Sequence, residues 1–205
     1  MRFGIPSGLG SVLDMLAFGL FVLFIGRLGK LELAASNLAF QVNLLAFLPI
    51  TGIGTAATTL VGRALGDEKP ALAARSTWSA YGVATAYMTV MCILYVVTPS
   101  WFTDFFAQRG GADTAESAEL RATAIVLLRF VALYSLFDAM AVTFSSALRG
   151  AGDTRFVLYY SIGMGYLFMV LPAWIVCRPG RPGGLYTAWI WLSVFVVLLA
   201  SGFLA

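Results

Sequence analysis

Runs of apolar residues longer than 18 positions recur along the whole chain, broken only by short linkers rich in Gly, Pro and charge. A helix rising 1.5 Å per residue needs about 20 such residues to cross roughly 30 Å of hydrocarbon. The pattern predicts six helical spans, at about Pro6–Leu28, Leu33–Leu65, Leu72–Val97, Leu120–Leu148, Thr154–Cys177 and Gly184–Ala205. The linkers GRLGKLE, GRALGDEKPAL, AQRGGADTAESAE, LRGAGDTR and RPGRPGG leave no room for a soluble domain. The expected architecture is an all-α membrane protein, residues 1–205 forming one six-helix bundle. The first run is too long for the apolar core of a signal peptide, and no small-residue cleavage pattern follows it.

Two interruptions refine this picture. Pro49 falls inside the long second span, with Gly52 and Gly54 close behind. Proline removes a backbone donor, so a kink or break is expected there. Asp113 followed by Glu116 resembles an N-cap with its acid at the third helical position, which predicts a short amphipathic approach to the fourth span.

Three charged residues lie well inside spans: Asp14, Arg129 and Asp138. Asp138 precedes Leu148 by ten residues, about 15 Å along the axis, which places it near the bilayer midplane. Asp14 follows Pro6 by eight residues, about 12 Å, which suggests a similar depth. An acid facing lipid there costs about 2.5–3.5 kcal/mol on insertion scales, so both should face a cavity, an ion or another helix. Midplane acids on separate helices read as an ion or proton relay, against the plainer reading that each bonds a neighbouring helix. If they shared one cavity they could not both stay ionised without a counter-charge, and a sodium ion could supply it.

Tyr134 and Asp138 are four residues apart and so share a helix face, where the phenol can donate to the acid or offer oxygen to the ion. Asn37 and Gln41 repeat that spacing in the second span, with Asn43 close by. Such amides either bond helices together or line the same cavity as the acids. Arg129 reads as a snorkelling arginine. Trp78, Trp101, Trp174 and Trp189 fall near predicted span ends, as interface anchors do.

Composition narrows the chemistry further. Hydrophobic residues make up 60% and charged residues 11%, far below the charged share of soluble domains. The net charge of +3 comes from basic residues scattered through short loops, so it implies no nucleic-acid partner. Six basic residues fall on each side of the expected membrane, and the positive-inside rule therefore assigns no orientation. There is no histidine, which excludes His-activated nucleophiles and His metal sites. Cys92 and Cys177 stand alone in apolar segments and read as small buried hydrophobes. No nucleophile–base pair or phosphate loop is visible, so an enzyme is not expected and no cofactor is implied beyond a coupling ion.

Four stretches, taken in order, resemble the multidrug and toxic compound extrusion (MATE) family, in particular its NorM-like branch. They are IPSGLGSVLDMLAFGLFVLFIGRLG, LAASNLAFQVNLLAFLPITGIGTAATTLVGRALGD, YSLFDAM and SALRGAGDTRF. The resemblance runs over nearly all of the chain and corresponds to the second, C-terminal lobe of a twelve-span transporter. It implies that Asp14, Tyr134 and Asp138 form a membrane-embedded cation site, with sodium possible at Asp14 and Asp138, and that Asn37 and Gln41 match polar positions of a substrate cavity, to which Asn43 is added as a candidate by its closeness to them. It further implies antiport in the inner membrane, sodium or protons entering while an amphipathic, often cationic compound leaves, with both termini in the cytoplasm. Aspartate stands at position 14 where some relatives carry glutamate, which shortens the carboxylate's reach by one methylene.

Full transporters of this kind rock two lobes about a central cavity, so a second six-helix lobe is the expected partner. A chain of this length reads as a fragment or truncated product, or as a half-transporter that pairs with another lobe. Two other readings stand beside the antiporter: a subunit or fragment without transport of its own, and a flippase for lipid-linked substrates. The flippase would want a basic groove, for which Arg129 is the one in-span candidate.

Overall fold

A computed structural model describes residues 4–107, 115–178 and 183–204. Its elements are helices α1 (Gly4–Gly26), α2 (Lys30–Gly66), α3 (Pro70–Val97), α4 (Pro99–Ala107), α5 (Ala115–Gly150), α6 (Thr154–Met164), α7 (Leu171–Val176) and α8 (Gly184–Leu204). A π-helical turn, Gly165–Val170, joins α6 to α7. Six helical stretches are long and apolar enough to cross a membrane, α6 and α7 counting as one through the π turn. The all-α six-span architecture expected from the sequence is the one found.

Helix α5 is the hub, with α2, α3 and α8 packed along it and the short α4 against its N-terminal part. Helix α1 instead lies against α6, the π turn and α2, on a different seam. Apolar burial cannot by itself pull helices together in lipid, so close backbone approach and hydrogen bonding matter more. The α2–α5 crossing supplies both. The Thr58 hydroxyl donates to the Ser146 carbonyl at 2.9 Å. A Cβ on Gly150 would sit 2.5 Å from the Thr58 carbonyl oxygen, and one on Gly54 2.7 Å from Ser146 Oγ.

The ends of α5 and α2 close in the same way. Beyond α5, the amide of Gly152 donates to the Arg149 carbonyl and that of Asp153 to the Leu148 carbonyl, at 3.1 and 3.0 Å. This is the Schellman arrangement, and Gly152 takes the positive φ, 91°, that it requires. Asp153 then caps α6 by accepting from the Phe156 amide at 3.2 Å. After α2 the same bonds run from Glu68 to Leu65 and from Lys69 to Ala64, with Glu68 at φ 57°.

Several details depart from the sequence reading. Helix α2 runs unbroken through Pro49 for 37 residues. The lost donor strands the Leu45 carbonyl alone, and the flanking turns hold the helix together. The irregularity lies in the fifth span, where Pro172 cannot bond back to Phe168 and the preceding turn widens to π. Trp189 is not an interface anchor: it is fully buried, its ring stacked on Phe40 at 4.9 Å and its Nε1 donating to Ser36 Oγ at 3.3 Å. Trp78, Trp101 and Trp174 are exposed. Cys177 is buried, and Cys92 Sγ lies 3.4 Å from the Ala132 carbonyl oxygen. The capping acid expected at Asp113 lies outside the described residues.

The crossing makes a testable contrast between two glycines of the same pair of helices. Gly150→Ala pushes a methyl into backbone that cannot swing aside and should cost about 1–3 kcal/mol. Gly52→Ala meets nothing within 4 Å and should gain up to about 1 kcal/mol of helix propensity. Thermal unfolding of the two variants in detergent measures this; equal midpoints would contradict the crossing.

Candidate functional site

The candidate residues fall into three groups, separated by the way α1, α2 and α5 are packed. Tyr134 is buried on α5, and Asp138, one turn further on, is half-buried. The Asp138 carboxylate and the Tyr95 hydroxyl of α3 are both close enough to act electrostatically on the Tyr134 phenol. Tyr95 is itself buried and donates to the Val42 carbonyl at 3.2 Å, which ties α3 to α2 beside the site. Tyr134 also forms part of the wall of a cleft between α5 and α8, of about 300 Å³. Its other walls are Phe130, Leu133, Ile190, Val194, Val197 and Leu198, with Ser193 the polar exception. The Ser193 hydroxyl is committed to the Trp189 carbonyl at 2.9 Å, and the surface the cleft presents is apolar throughout.

Asp14 stands elsewhere. It is exposed on α1 and lines a small crevice with Gly10, Arg149, Thr154, Val157, Leu158 and Ser161. Asp138 is not among the lining residues, and α1 does not run along α5. Neither this crevice nor the cleft at Tyr134 is lined by both acids, and the basic residue that shares the crevice with Asp14 is Arg149, whose charge acts on the carboxylate. Arg129, which reads from the sequence as a snorkelling arginine, is exposed on α5 and does not line this crevice. Arg149 was hidden by its place in what the sequence presents as a linker, where a basic residue reads as a topology signal.

The amides divide as well. Asn37 and Gln41 are exposed along one face of α2, and the same face carries Thr51, Thr55 and Thr59. The three hydroxyls turn back on their own helix, to the carbonyls of Leu48, Thr51 and Thr55 at 2.7, 2.9 and 3.0 Å. Asn43 is different: it is half-buried, and its Oδ1 is buried without a hydrogen-bond partner. Asn43 follows Ser36 and Phe40 at helical spacing, the stripe of α2 that meets Trp189 of α8. A stranded amide oxygen is a ready acceptor for an ion, a water or a substrate donor.

That oxygen yields a prediction in which stability and function part company. Asn43→Leu removes an unpaired buried acceptor from the lobe, so the isolated chain should keep its stability or gain about 1 kcal/mol. A loss of more than about 1 kcal/mol on thermal unfolding would mean that the amide is bonded in solution.

Comparison with known proteins places these features in a family. The MatE family model matches residues 6–175. A probable multidrug resistance protein NorM of Brucella suis is 33% identical over 171 residues, which are 83% of this chain and 36% of that protein. Its counterpart in Rhodopseudomonas palustris is 31% identical over 202 residues, 98% of this chain and 41% of that protein. The chain thus spans about two fifths of the length of these curated relatives. Among solved structures, an outward-facing multidrug resistance MATE family transporter of the MOP superfamily superposes with a TM-score of 0.86 at 20% identity. The match covers 99% of this chain and 44% of that one.

Proposed function

The chain belongs to the MatE family, and from that premise we propose that it works as the C-terminal lobe of a cation-coupled multidrug antiporter. Family membership places it among multi-pass transporters of the inner membrane and not among enzymes. In the proposed cycle sodium or protons enter through the lobe and drive the exit of amphipathic, often cationic compounds. Asp138 and Tyr134, with Asp14 on its own seam, are the proposed cation ligands. Asn37, Gln41 and Asn43 are proposed to face the compound being carried.

The observation that carries this reading is the pairing of Asp138 with a buried Tyr134 inside the central helix. A carboxylate held within a span is costly unless it exchanges a cation, and the phenol beside it adds a neutral oxygen of the kind sodium accepts. The exposed amides support a second part of the reading. Asn37 and Gln41 on a membrane helix are poorly suited to lipid, and a second six-helix lobe across a wet cavity would cover them.

A chimera tests the proposal, with this chain replacing the corresponding lobe of the Rhodopseudomonas palustris relative. Asp138→Asn in that chimera should abolish gradient-driven efflux of a fluorescent cationic dye while membrane insertion continues; normal efflux would remove the ion-site assignment. Tyr134→Phe deletes one oxygen and no charge, so it should slow efflux by about tenfold or less. A larger defect in Tyr134→Phe than in Asp138→Asn would reverse the order of roles.

A further inference from the structure

The crevice that Asp14 and Arg149 line together is not used by the cycle described above. Arg149 sits in the last turn of α5, one residue before the glycine that locks against the Thr58 backbone. The Schellman turn and the Asp153 cap fix the backbone on both sides of it. Its guanidinium is therefore tethered to a rigid helix end while its long stem leaves the head free to reach the crevice. The guanidinium stays charged at any accessible pH.

The crevice itself is tight. Gly10 lets α1 approach α6 so closely that a Cβ there would lie 3.0 Å from Leu158 Cδ1. The free volume beside Asp14 is about 10 Å³, close to the least that holds a single water. With Arg149 already part of the wall, the room left at the carboxylate is about that of one water, so a cation that keeps any of its hydration gains room only as the guanidinium withdraws. Thr154 and Ser161, the other polar residues of the lining, offer hydroxyl oxygens that suit a small cation and add no competing charge.

We propose that Arg149 is the tethered counter-ion of Asp14 and sets the cation affinity of that acid by competing with the coupling ion for the carboxylate. The proposal rests on Asp14 being a cation ligand. It also gives ion occupancy a mechanical consequence. When the ion arrives, Arg149 is displaced, and an electrostatic tie between α1 and the α5–α6 turn is released. The two seams of the lobe are then free to move relative to each other.

Sodium titration of the thermal midpoint of the purified chain tests this, with choline chloride holding ionic strength constant. Arg149→Gln should reach half-saturation at about tenfold lower sodium than the wild type. Arg149→Lys keeps the charge and should titrate as the wild type does. Asp14→Asn combined with Arg149→Gln should lose the gain, because the carboxylate under competition is gone. Should the glutamine variant fail to fold, Arg149→Met keeps the apolar stem and carries the same expectation. The proposal is overturned by an unchanged titration in Arg149→Gln, by a gain that survives Asp14→Asn, or by no sodium response in any variant. None of these outcomes alters the efflux result for Asp138→Asn in the chimera, so the two readings fail separately.

Discussion

The close crossing of α2 and α5 is the contact from which the rest of the lobe follows. Between helices in lipid the apolar surface is solvated as well outside as inside, so association has to come from dispersion at short range and from polar groups that meet. Gly54 and Gly150 permit the short range, and the Thr58–Ser146 hydrogen bond supplies the polar link. With α5 held there, its remaining faces are presented to α3 and α8, and Tyr134 and Asp138 fall at the level where those three helices meet. A looser crossing would open the level at which Tyr95, Tyr134 and Asn43 are buried. The site is thus a consequence of backbone approach some two turns away, about 12 Å along α5 from Asp138 to Ser146.

Burial of polar groups in this lobe follows a consistent division. Thr85 Oγ1 is buried without a partner, whereas the buried hydroxyls of Thr143 and Ser193 and the exposed ones of Thr51, Thr55 and Thr59 bond back to their own helices. The acids cannot do this, since a carboxylate accepts and the helical amides are already used. Asp14 shares its crevice with Arg149, and Asp138 has the phenol of Tyr134 nearby. The same reasoning separates Asn43 from Asn37 and Gln41, because only the first carries a buried oxygen without a donor.

Much of the fold was legible in the sequence because hydropathy over 20 residues is a property of composition, and six spans can be read without knowing any contact. What was missed depends on azimuth or on backbone detail. Trp189 stands near the start of its span, where tryptophans favour the interface, yet its azimuth turns it onto Phe40 in the core. Pro49 reads as a kink or a break, and the helix continues through it because one absent donor leaves the neighbouring turns intact; Pro172 sits beside the π turn. The pair Tyr134 and Asp138 was visible because both lie on one helix at a spacing of four. The proximity of Asp14 to Arg149 was not, since Arg149 is 135 positions away in sequence and falls in what reads as a linker, although it ends α5. Long-range proximity of that kind leaves no local signal.

The exposed side of the lobe completes the argument. Asp14 on α1 and the Asn37, Gln41, Thr51, Thr55, Thr59 stripe on α2 are exposed, whereas the outward residues along the second half of α3, among them Val83, Val90, Ile93 and Val97, are mostly apolar. A bilayer distinguishes these surfaces sharply, because an amide or a carboxylate against acyl chains loses hydrogen bonds that water or protein would supply. The α3 surface is suited to lipid as it stands. The α1–α2 surface is suited to water, to a carried compound, or to another polar helix surface, and a rocking two-lobe transporter presents all three in turn. Exposed polarity of this kind is a property of the assembled helices that no single span reveals.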